Sequence, residues 1–165
     1  MTMSYNSTEN AYEVSGSGNW HAYTPIPALN DEDEYTISID VKGQDYNYNN
    51  IGLFLDNRND TTSYGLCFSI SNKSNEFYSR QYRLSSDGTS YITSVSLSAN
   101  TWYRIEYTVN GSSLTGKLYD MDNNLLATKA VTLSVNNKSM GIFMFCEGGT
   151  TNSKGWVRNI QAEAL

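Results

Sequence analysis

The sequence predicts an all-β, antiparallel two-sheet sandwich of about ten strands, and three observations carry that expectation. Apolar residues recur with period two, not with the 3.6 of a helix. The only two prolines, Pro25 and Pro27, sit together in a loop-like stretch. Short links rich in Gly, Asn, Asp and Ser separate the periodic runs.

Taken in order, residues 1–10 (MTMSYNSTEN) are polar and read as a disordered or tag-like N-terminus, which leaves 11–165 as a single domain. The first clear strand, 35–41, puts Tyr35, Ile37, Ile39 and Val41 on one face and Thr36, Ser38 and Asp40 on the other. GQDYNYNN (43–50) reads as a loop, having no apolar residue to anchor a strand. Further strands are expected at 51–56, 64–71, 77–84, 89–97, 102–109, 114–120, 125–132, 139–146 and 155–162. In 102–109, Tyr103, Ile105, Tyr107 and Val109 share one face, while Trp102, Arg104, Glu106 and Thr108 form a nearly all-polar second face. Turns at NGSS (110–113) and DMDNN (120–124) fold this strand and the next two into a meander.

Composition narrows the function. Charged residues make up 17% of the 165, below the roughly 25% of ordinary soluble domains, while tyrosines number 13. The net charge is −6 and the 11 basic residues are dispersed, so nothing marks a phosphate-backbone partner, and nucleic acid is not expected. No run approaches the ~18 apolar residues of a membrane span, and MTMSYNSTEN carries no signal-peptide pattern. Membrane insertion is not expected. The chain reads as a module of a longer exported protein or as part of a virion. Cys67 and Cys146 lie in separate apolar runs without CxxC spacing; buried free thiols are the simpler reading, and a disulfide is left open.

The stretch NTWYRIEYTVNGSSLTGKLYDMDNNLLATKAVTL (100–133) has a Trp-Tyr pair opening a strand, a short turn, a strand ending Leu-Tyr-Asp, then an apolar strand. MGIFMFCEGG (140–149) and GWVRNIQAEA (155–164) follow, and EVSGSGNW (13–20) precedes YTISIDVKG (35–43). The chain thereby resembles the concanavalin A-like jelly rolls of laminin-G-type and carbohydrate-binding modules. That resemblance implies a jelly-roll sandwich, and a glycan-binding or adhesive module of a cell-surface or phage tail protein. Such a fold hosts lectins, glycosidases and spacers alike, so the site must decide.

Catalysis is not expected. A glycosidase needs carboxylates clustered across a cleft. The only acidic cluster, Asp31–Glu34, reads as a solvated patch, and Glu76, Glu106 and Glu147 are scattered. His21, the sole histidine, has no nucleophile elbow near it. No cofactor is expected. A structural calcium is considered at Asp56–Asp60 and Asp120–Asn124, but Asx-rich turns explain both segments, and WVRNIQA in the closing strand lacks the carboxylate that the resemblance would supply.

Neutral sugars are recognised by aromatic rings together with amides, hydroxyls and arginine. Two groups of residues fit. One lies in loops: Trp20, His21 and Tyr23, of which Trp20 reads better as packing, then Tyr46 and Tyr48, then Asn57 and Arg58. The other is the hairpin built on FYSRQYRL (77–84). A turn at SSDG (85–88) sets Tyr82 opposite Tyr91 and Arg80 opposite Thr93, so that Tyr78, Arg80, Tyr82, Tyr91 and Thr93 share a surface. Leu84 and Val95 share it too, and whether it is a ligand groove or a core face stays open. The expected partner is a neutral glycan or cell-surface polysaccharide. The alternative is a spacer or assembly domain of a surface or virion protein, with a glycoside hydrolase third.

Overall fold

The structure, a computed structural model, describes residues 2–16, 20–26, 34–44, 49–57, 65–71, 76–83, 86–95, 97–132, 138–146 and 153–165. The strands are β1 (Thr2–Asn6), β2 (Ala11–Gly16), β3 (Trp20–Pro25), β4 (Glu34–Gly43) and β5 (Asn49–Asn57). They continue as β6 (Gly65–Ser71), β7 (Glu76–Arg83), β8 (Ser86–Ser94) and β9 (Tyr103–Asn110). The last four are β10 (Ser113–Tyr119), β11 (Leu125–Thr132), β12 (Lys138–Cys146) and β13 (Ser153–Ala164). Among the described residues there is no helix. All pairings are antiparallel, in a seven-stranded sheet ordered β1-β2-β13-β4-β9-β10-β11 and a six-stranded sheet ordered β3-β12-β5-β6-β7-β8.

Alternation builds the core as expected. Tyr35, Ile37, Ile39 and Val41 of β4 are buried, as are Tyr103, Ile105, Tyr107 and Val109 of β9 and Leu114 and Leu118 of β10. Ile51 and Leu53 of β5, from the other sheet, belong to the same cluster, so the core lies between the two sheets. Gly155 has no room for a side chain: a Cβ there would stand 2.7 Å from Ile51 Cδ1 of the other sheet and 3.1 Å from the Lys42 carbonyl oxygen. The meander β9-β10-β11 forms as expected; Gly111 turns it at φ 55.

Four expectations are corrected. The described residues hold thirteen strands instead of about ten, and the additional three all precede residue 26. β1 lies in the segment expected to be unstructured: as an outer strand it needs no apolar row of its own, because its backbone pairs with β2 from Thr2↔Ser15 to Asn6↔Ala11. Trp20, His21 and Tyr23, expected in a loop, belong to β3, an outer strand that ends at Pro25, where a missing N–H is tolerated.

The fourth correction is the β7–β8 register. Ser86, Asp87 and Gly88 are strand residues, and Arg83 pairs with Ser86. Tyr78 stands opposite Ile92, Ser79 opposite Tyr91 and Arg80 opposite Ser90, with a bulge before Tyr82↔Asp87. Beyond that bulge, over Glu76–Arg80, the paired numbers sum to an even value where the SSDG turn required an odd one. With a period of two, that moves Tyr91 out of the row of Tyr78, Arg80 and Tyr82.

The open question of the cysteines closes on the backbone. Cys67 pairs with Phe54 and Cys146 with Asn49, on opposite sides of β5 and five positions apart along it. Two strand spacings and five residue rises put the Cα atoms roughly 19 Å apart, far beyond disulfide reach.

Candidate functional site

The outward face of the seven-stranded sheet carries four cross-strand rows, each fixed by register. The first is Glu13, Trp156, Lys42, with Trp102 beside Lys42. The second is Arg158, Asp40, Arg104. The third is Gln161, Ser38, Glu106, Lys117, and the fourth Glu163, Thr36, Thr108, Thr115.

The first two rows form a packed aromatic and ionic layer. Lys42 is only 7% exposed. Its ammonium meets the Glu9 carboxylate and lies 4.6 Å from the Trp156 ring centre and 5.2 Å from that of Trp102. Arg158 stacks on Trp102 at 4.0 Å. Cation–π attraction is strongest for desolvated pairs, so these rings are already engaged. Asp40, 1% exposed, accepts from Arg104 Nε at 2.9 Å and Asn159 Nδ2 at 2.7 Å, with Arg158 Nε at 3.6 Å.

Glu13 fastens the N-terminal hairpin to this layer. Its carboxylate takes Lys154 Nζ at 2.8 Å, Asn6 Nδ2 at 2.9 Å and Trp156 Nε1 at 3.3 Å. The Lys154 hydrogen bond, with help from Asn6 and Trp156, holds the Glu13 carboxyl below its ordinary 4.5, against an opposing effect of burial. A depressed folded value means stabilisation present above the unfolded one and lost as pH falls through the folded one. Glu13→Gln is therefore expected to be less stable than the parent at pH 6 to 7, with the gap closing below pH ~4.5. Chemical denaturation of both proteins across that range checks it.

The third and fourth rows are open. Thr36, Ser38, Arg104, Glu106, Gln161, Ala162 and Glu163 line a depression of about 530 Å³. Lys117 Nζ holds Glu106 Oε1 at 3.0 Å, which raises the Lys117 value above 10.5. The Thr36 and Thr108 hydroxyls pair at 3.2 Å. Arg104 is braced by Asp40 and by Asn123 Oδ1, 3.1 Å from its Nη1. Hydroxyls, an amide, carboxylates and a guanidinium thus share one concavity, with no aromatic ring among the described residues that line it.

The candidates read from the sequence fall elsewhere. Tyr46, Tyr48 and Arg58 lie outside the described residues, and Asn57 ends β5. Tyr78, Arg80, Tyr82 and Tyr91 lie on β7 and β8 in the other sheet, where the backbone alone is described. Of the two segments considered for calcium, Asp120–Asn124 forms an Asx turn. Asp120 Oδ1 accepts from the backbone N–H of Asp122 and Asn124, both at 2.9 Å, and Oδ2 from Asn124 Nδ2 at 2.8 Å. The Asn124 bonds hold the Asp120 carboxyl below its ordinary value. In the other segment, Asp56 and Asn57 are β5 residues and 58–60 lie outside the described residues. Among the described residues no three His, Cys, Asp or Glu side chains group as a metal site.

Sequence reading missed the depression itself. Its signal was the polar second face of β9 and the outward Thr36 and Ser38 of β4, which become a site only once β13 is known to lie beside β4.

No family model matches the chain, and no curated protein matches it. Solved structures do. The carbohydrate binding module CBM66 from Bacillus subtilis superposes with a TM-score of 0.68 at 12% identity, over 99% of this chain and 91% of that one. The alginate lyase AlyC3 gives 0.68 at 10% identity, over 99% and 78%. A xylan beta-1,4-xylosidase from Bacillus halodurans C-125 gives 0.72 at 6% identity, over 98% of this chain and 34% of that one. These likenesses show a shared fold of the β-sandwich kind.

Proposed function

We propose that this chain is a non-catalytic carbohydrate-binding module of the concanavalin A-like jelly-roll type, and that the depression on the seven-stranded sheet receives a neutral glycan. The observation that carries this reading is the lining of the depression: Ser38, Gln161, Arg104, Glu106 and Glu163 offer donors and acceptors on a braced surface. Sugar hydroxyls, each both donor and acceptor, match such a lining. A carbohydrate-binding module among the neighbours of the same fold and nearly the same length supports it.

With no ring among the described lining residues, recognition rests on hydrogen bonds. A millimolar dissociation constant, about 4 kcal/mol, is the expected scale. Useful attachment then comes from many copies, as in a cell-surface or phage tail protein acting outside the cell. The test is calorimetric titration with neutral xylo-, gluco- and manno-oligosaccharides. At least one is expected to bind in the millimolar range, with affinity falling at least tenfold in Gln161→Ala. Absence of binding at millimolar sugar across the panel, on folded protein, overturns the proposal.

A spacer or assembly role is the second reading. The exposed tyrosines of the N-terminal hairpin favour it: Tyr5 (59% exposed) and Tyr12 (47%) stand edge to face at 5.8 Å. It predicts a stable oligomer by light scattering, where the glycan reading predicts a monomer.

A further inference from the structure

One extra residue in β13 decides which side chains reach the depression. Arg158 pairs with Asp40 and Gln161 with Ser38, so Asn159 and Ile160 together stand opposite Ile39. Beyond this bulge Gln161 and Glu163 sit in the outward rows of Ser38 and Thr36. A straight ladder continued from Arg158↔Asp40 would set Ile160 opposite Ser38 and Ala162 opposite Thr36. Gln161 and Glu163 would then face the positions of Ile37 and Tyr35, both core residues. The bulge thus converts an apolar row into a polar one.

Asn159 is built for that place. It holds φ 51, a left-handed conformation in which asparagine is among the few tolerated side-chain-bearing residues. Its Nδ2 donates at 2.7 Å to Asp40 Oδ2, on a carboxylate that Arg104 also holds. Backbone conformation and side-chain bond fix the extra residue at the same point.

We propose that Asn159 is the positioning residue of the depression, presenting Gln161 and Glu163 to a ligand it does not itself line. This rests on the carbohydrate reading for the identity of the ligand, but its structural content is testable without one. Cross-strand NOEs and amide exchange in labelled protein report the pairing of Gln161 with Ser38. Asn159→Gly, which keeps the left-handed conformation, is expected to retain that pairing. In Asn159→Val, which opposes it, the NOE is expected to vanish and amide protection over 161–164 to fall at least tenfold while β9 and β10 stay protected. Should Asn159→Val fail to fold, Asn159→Ala against Asn159→Gly makes the same comparison, since both lose the amide and only glycine adopts the conformation freely. Unchanged pairing and protection in the valine or alanine variant overturns the assignment. For any oligosaccharide that binds, affinity should follow the pairing, falling at least tenfold in the valine variant and less than twofold in the glycine one. Intact pairing alongside an absence of glycan binding would fail the ligand reading alone.

Discussion

Asp40→Ala is expected to lower stability by ~3 kcal/mol, the cost of breaking a buried ion pair on one side. Asp40 is 1% exposed and serves three partners from two neighbouring strands: Arg104 on β9, and Asn159 and Arg158 on β13. Removing it leaves the Arg158 Nε, already buried, without its nearest carboxylate. Arg104 and Arg158 keep 38% and 30% side-chain exposure, so water recovers part of the loss, which places the figure at the lower end for buried pairs. For a domain of this size the melting temperature should fall by about 9 °C. Asp40→Asn, which keeps shape and one acceptor, should cost visibly less. Equal melting temperatures for Asp40→Ala and the parent would mean that the outward layer does not hold β13 to β4.

The larger effect is expected at Ile105. It is fully buried on the interior strand β9, paired with Ile39 on one side and Leu118 on the other, both fully buried too. Ile105→Ala removes methyl groups from a site walled by two sheets, where relaxation is limited, and should cost ~4 kcal/mol. Urea denaturation of the two proteins checks this, with the midpoint falling and the slope unchanged. A change in slope instead would signal that the native state had loosened.

How much of this was legible beforehand follows from which strands carry their own core. β4 and β9 each bury four alternate apolar residues, and their pattern announces both strand and face. β1 does not: TMSYN is exposed over Thr2–Tyr5, and its place comes from hydrogen bonds to β2, which leave no mark in hydropathy. Register is hidden for a related reason. Next to the turn, Arg83↔Ser86 keeps the parity that SSDG suggests, and it is the bulge between Arg80 and Tyr82 that separates Tyr91 from Arg80. In β13 the Asn159 bulge keeps Val157 and Ala162 opposite the inward residues Val41 and Ile37 despite an odd separation. Nothing in the alternation alone says where the extra residue goes. The depression was partly visible as polar rows on β4 and β9, but its third wall depended on that bulge and on a sheet order that joins the last strand to the fourth.

The glycan site proposed above is the depression on the seven-stranded sheet. Titrating labelled protein with neutral oligosaccharides while following backbone amide shifts tests it most directly. Saturable shifts at millimolar sugar, concentrated at Thr36, Ser38, Glu106, Gln161 and Glu163, are the predicted result. Saturable shifts confined to Tyr78, Arg80, Tyr82 and Tyr91 on the other sheet, or no shift at all, would contradict it.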